Sequence, residues 1–136
     1  MPSDPAALTL RAAAQAMQAW PKTADRLRIF FEFMRGAEES GLSALHLVND
    51  EPAPIGDPRF DSLVAAAADL VTTQLGEPCP PWATAQHRFL QTPWWTSDLR
   101  SGQLFAMAHC PRAFRIRGIY IDARDLTSDG RRWADY

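Results

Sequence analysis

Apolar residues recur at helical spacing along most of this chain. Leu10, Ala13, Ala14 and Met17 repeat at intervals of three and four, the pattern of a helix laid on a core. Ser3-Asp4-Pro5 reads as the start of that helix, which would span 3–19. Pro21 ends it at Trp20, because the residue before a proline avoids helical geometry. Leu27, Phe30, Phe31 and Met34 then fall at i, i+3, i+4 and i+7, with Ile29 and Phe33 as a second stripe. A second helix, capped by Thr23, is therefore expected to be buried on more than one side. Gly41 stops it, and Leu42, Leu45 and Leu47 fit either a short helical turn or an extended piece.

Residues 49–58 carry three prolines and a glycine and read as an exposed connection. Asp57-Pro58 opens a third helix with the face Phe60, Leu63, Val64, Ala67, Leu70, Val71 and Leu75, closed by Gly76. It has a cap, a proline in its first turn and a glycine stop, which makes it the best-marked element. A rigid proline segment at 77–82 precedes a short helix expected over 83–90. Asp98 is positioned to cap a helix holding Leu99, Leu104, Phe105, Met107 and Ala108. Pro111 restarts a helical turn ending near Gly118, and Ile119 and Ile121 alternate with Tyr120 and Asp122 as in a brief strand near 119–122. One short strand needs a partner for its backbone groups, such as a second copy of the chain. The fold predicted is mainly α: one domain of five or six helices around one core, with 126–136 as a candidate mobile tail.

Composition narrows the function. The chain has 136 residues, 46% apolar and 22% charged, and a domain of this size buries roughly two-thirds of its unfolded surface. Its net charge of −2 argues against a protein that coats nucleic acid. The charge is uneven: residues 1–80 hold six basic and eleven acidic side chains, residues 81–136 eight and five. Cys79 and Cys110 are too few for a disulfide framework, so reduced thiols and a cytoplasmic location are expected. No basic stretch precedes an apolar run at the N-terminus, and no apolar stretch approaches the ~18 residues of a membrane span.

Candidate chemistry is sparse. His46, His87 and His109 are far apart, and His109-Cys110 is adjacent rather than spaced, whereas zinc ligands pair at short intervals. No metal or cofactor is expected. Sets such as Cys110 or Ser97 with His87 or His109 lack a nucleophile elbow or glycine-rich loop, so no catalytic residue is assigned. The concentrated feature is aromatic: Trp82, Trp94 and Trp95 fall within fourteen residues. Adjacent Trp94 and Trp95 point apart on a short segment, so one of them is a candidate exposed anchor. Arg112, Arg115 and Arg117 surround Phe114, an arrangement that allows phosphate contact and base stacking.

The run EPAPIGDPRFDSLVAAAADLV, then PPW, PWW and the ending CPRAFRIRGIYIDARDL, resembles a group of small actinobacterial proteins. The match covers about residues 25 to 126 and rests on Asp57, Pro58, Asp61, Trp82, Trp94, Pro111, Phe114, Arg117, Gly118, Ile119, Asp122 and Leu126. Such proteins look like the non-catalytic member of toxin–antitoxin-type loci, beside a helix-turn-helix regulator or a nucleotidyltransferase-like protein. The resemblance implies a cytoplasmic, antitoxin-like adaptor with a co-encoded protein partner, and no catalytic role. The partner surface expected from the residues is Trp94, Trp95, Phe114 and Tyr120 as anchors, with Arg112, Arg115 and Arg117 as a charged rim. The segment 111–122 would add a strand to the partner's sheet. The alternatives are a nucleic-acid-associated regulator using 112–117, a small enzyme without a motif, and a homodimer paired through the short strand.

Overall fold

In a computed structural model describing residues 7–126, one helix forms the centre of the molecule. It spans Pro58–Gln74, and every residue from Ser62 to Thr72 is buried. Asp57 caps it, accepting from the Arg59 amide at 3.0 Å, while Pro58 pre-sets the first turn. Its small middle residues, Ala65 to Ala68, let neighbours approach closely, and most of the other elements pack against it.

In chain order α1 is Leu10–Ala19, α2 Thr23–Ser40, α3 Leu45–Val48, α4 the central Pro58–Gln74, α5 Arg100–His109 and α6 Arg112–Arg115. The molecule is mainly α, as expected. The first helix begins later than its sequence suggests. Residues 1–6 lie outside the described part, residues 7–9 are not helical, and the cap is Thr9, whose hydroxyl accepts from the Ala12 amide. Thr23 is likewise the first helical residue of α2 and not its cap; its hydroxyl accepts from Arg59 instead. Arg26 occupies the buried face of α2 and donates its Nε to the carbonyls of Met17 (2.8 Å) and Trp20 (3.1 Å). That contact ties the α1–α2 corner. Phe30, Phe33, Met34 and Ala37 complete the face against the core. After Gly41 the chain makes a 3-10 turn and then α3, which settles the leucine-rich stretch as helical.

The proline-rich connection is held more firmly than expected. Ile55 and Pro52 are buried, and the Ile55 amide donates to Asp61 at 2.8 Å. Arg88, itself buried, donates to the Asp61 and Pro52 carbonyls and to Glu51. Trp82 donates its indole N–H to the Val48 carbonyl and stacks beneath the Arg88 guanidinium. Two 3-10 turns, Pro81–Thr84 and Gln86–Arg88, stand where a short helix was expected. The helix that follows also departs from expectation: Leu99, not Asp98, stands at the N-cap position of α5.

The short strand finds its partner within the chain. β1 (Trp94–Trp95) lies parallel to β2 (Ile119–Tyr120), pairing Trp94 with Ile119 and Trp95 with Tyr120. The Trp94 amide donates to Gly118 at 2.8 Å, Thr96 to Tyr120 at 3.2 Å, and Leu90 to Arg117 at 3.0 Å. Gly118 makes the turn into β2 with φ +80°, and a Cβ there would lie 3.3 Å from Leu90 Cβ and 3.4 Å from its carbonyl oxygen. Gly118→Ala is expected to cost about 1–2 kcal/mol from the left-handed backbone alone, with crowding added. An unchanged urea midpoint would contradict this placement. Of the candidate tail, Leu126 is buried in the 3-10 turn Ala123–Leu126, and the rest lies outside the described residues.

Candidate partner-binding surface

The seven residues expected to share one surface divide between core and exterior. Along 112–117 the positions 113, 114 and 117 turn inward, while 112 and 115 face solvent. Phe114 is fully buried and meets Phe30 edge-on at 6.1 Å, so it cannot be an exposed anchor. Arg117, 1% exposed, is no rim cation. Its Nη1 donates to Asp69 at 2.8 Å and to the Ala113 carbonyl at 2.9 Å, its Nη2 to the Ala83 carbonyl at 2.8 Å. The guanidinium also lies 4.7 Å above the Phe89 ring. A buried arginine persists only when paired and hydrogen-bonded, and Asp69, from the middle of α4, supplies the charge. Arg112 reaches the same carboxylate from outside at 3.3 Å. Arg115 is exposed and donates to the Cys110 carbonyl.

The paired tryptophans do point apart. Trp94 packs edge-on against Phe60 at 5.2 Å, with Arg59 over its ring. Trp95 stacks on Tyr120, 4.9 Å between centroids and 16° between planes. Both rings of that stack are half-buried, so they form a rigid plate at the surface end of the two-stranded sheet.

Next to the plate lies a feature not singled out from the sequence. Of the seven large apolar side chains exposed among the described residues, four fall between Leu99 and Met107: Leu99, Leu104, Phe105 and Met107. Within α5 only Ala106 is buried. Leu104, Met107 and Ala108, at i, i+3 and i+4, form an outward apolar face, with Leu104 59% and Met107 57% exposed. Scattered apolar side chains are ordinary on a surface, whereas a contiguous face of this kind is a candidate interaction site.

Local contacts hold α5 in this outward orientation. Gln103 donates its side-chain amide to the Ser97 carbonyl at 3.0 Å, and the Leu99 amide donates to Ser97 Oγ. Gly102 permits this approach, since a Cβ there would collide with the Ser97 side chain. At the other end the buried Cys110 thiol donates to the Ile119 carbonyl at 3.2 Å. Phe105 is covered on one face by Arg124, 4.8 Å from its centroid, which Asp122 holds at 2.7 Å.

The site offers little reactive chemistry. Burial pushes the thiols of Cys79 and Cys110 up from their ordinary value, so neither is poised as a thiolate nucleophile. Among the described residues no three His, Cys, Asp or Glu side chains are grouped to hold a metal ion, and no helix is long and apolar enough to cross a membrane. Comparison with known proteins finds no matching family model, no matching curated protein and no matching solved structure.

Proposed function

We propose that this chain is a protein-binding adaptor of antitoxin type, which occludes a surface of a co-encoded toxin or regulator such as a nucleotidyltransferase-like protein. One observation carries the reading: α5 turns Leu104, Phe105 and Met107 outward while burying only Ala106. An exposed helix face anchored by large apolar side chains fits a hydrophobic groove in another protein. The Trp95–Tyr120 stack extends the apolar area with rigid rings that lose little freedom on binding. Arg115, with Arg112 in part, remains as surface charge to orient the approach.

The nucleic-acid reading is weaker. Arg117 belongs to the core and Arg112 is paired with Asp69, leaving Arg115 from the original cluster. Neither a dimer through β2 nor strand addition from 111–122 is favoured, because β2 already pairs with β1 and its Ile119 carbonyl accepts the Cys110 thiol.

The test is capture of partners by the tagged chain from its native host in high salt. A stoichiometric protein encoded by a neighbouring gene is the expected result. Nothing retained, or only nucleic acid lost as salt rises, would overturn the proposal. With that partner in hand, Trp95→Ala is expected to raise Kd roughly tenfold, the scale of one interface aromatic, with the helical circular dichroism kept. Unchanged affinity would remove Trp95 from the surface.

A further inference from the structure

A concave site lies elsewhere on the molecule and shares no residue with α5. It is a cleft of about 920 Å³, within the size range of small-molecule sites. The chain enters it at the start of α4 and again along 86–94. Trp94, Phe89, Leu90, Pro58 and Pro93 give it flat, apolar lining.

One cation is fixed in its wall. The Arg59 guanidinium lies 5.2 Å from the Trp94 ring centroid and 5.5 Å from that of Phe60. Asp57 grips it from one side, with Nη2 donating at 2.8 Å and Nε at 3.2 Å. Nη2 also donates to Thr23 Oγ1. Nη1 makes no hydrogen bond among the described residues, and the side chain is 40% exposed. Three elements therefore hold an arginine with Nη1 alone left open, one positioned charge-assisted donor for an anion.

Asp57 does not cancel this charge. Its carboxylate is shared with a second guanidinium, Arg26 Nη1 at 3.7 Å, so two cations face one anion. The Arg59 hydrogen bonds hold the Asp57 carboxyl below its usual range, and the trio keeps a residual positive charge at neutral pH. On the rim, Gln86, His87, Gln91 and Thr92 are exposed, and their side chains make no hydrogen bond among the described residues. They are free to hydrogen-bond a ligand.

We propose that this cleft binds a small organic acid carrying a flat apolar ring, its carboxylate on Arg59 Nη1 and its ring against Trp94 and Phe89. A single residual charge beside an apolar lining suits a monocarboxylate better than a phosphate dianion, which would need more cations to offset its desolvation. The site stands apart from the adaptor reading, and either holds without the other.

The test uses the full chain labelled with ¹⁵N and three probes: phenylacetate, indole-3-acetate and 4-hydroxybenzoate. At least one is expected to give saturable shifts at the Arg59 Nε–H and Trp94 Nε1–H resonances at millimolar concentration. Its neutral carboxamide should bind roughly tenfold more weakly, the loss of one charge-assisted contact. Arg59→Lys should weaken binding by a similar factor. His87→Ala, at an exposed position without a partner, should weaken it severalfold with the fold intact. Equal binding of acid and carboxamide would overturn the proposal. So would shifts confined to residues outside the cleft, or no saturable shift with any of the three acids.

Discussion

Arg117→Ala is expected to cost about 3–5 kcal/mol, the penalty for breaking a buried ion pair by removing one partner. The total stability of a domain this size is about 5–15 kcal/mol, so the variant should be largely unfolded under mild denaturing conditions. Arg117 joins three parts of the fold: Asp69 in α4, the Ala83 carbonyl in a 3-10 turn, and the Ala113 carbonyl in α6. Its removal would leave Asp69 buried, with only the Thr73 hydroxyl and the half-exposed Arg112 as side-chain partners. The Ala83 carbonyl would lose its donor, and Phe89 the cation above its ring. Urea unfolding provides the check. A loss under about 1 kcal/mol would fall in the range of exposed pairs and contradict the buried placement. Replacing both charges together, Arg117→Met with Asp69→Leu, should cost less than the sum of the single changes, because neither charge is then stranded.

Leu104→Glu combined with Met107→Glu is expected to abolish partner binding while leaving the fold intact. Both side chains are more than half exposed, so their replacement should change stability by no more than about 0.5 kcal/mol each. At an interface, two anchors of about 2 kcal/mol each would raise Kd roughly a thousandfold. Calorimetric titration against the captured partner, with thermal unfolding of the variant alone, separates the two effects. Unimpaired binding would show that the partner docks elsewhere.

The chain wrote its central helix plainly. Asp57-Pro58 at one end, Gly76 at the other and a run of apolar residues between them mark α4 by local chemistry alone. Caps were less legible: Thr9 and Thr23 are equally suited to the role, and the difference lies in Arg59, distant in sequence, claiming the Thr23 hydroxyl. The strand Trp94–Trp95 has only two residues, and its partner stands 25 positions later, so no period of two was there to read. Arg117 looked like surface because arginine usually is. Its counter-charge, Asp69, lies 48 residues away, and local sequence does not carry that pairing. The α5 face shows the deepest ambiguity. Leu104, Met107 and Ala108 follow the same spacing as a buried stripe, and which way such a stripe turns depends on the Ser97 and Gly102 contact at its start.

The docking role of α5 is tested most directly by hydrogen–deuterium exchange of the chain, free and bound to the partner captured in high salt. Slowed exchange is predicted across residues 99–109 and the Trp95–Tyr120 strands, with the amides of α1 and α2 unchanged. Protection of α1 or α2, with α5 exchanging at its free rate, would contradict the assignment of this face as the partner-binding surface.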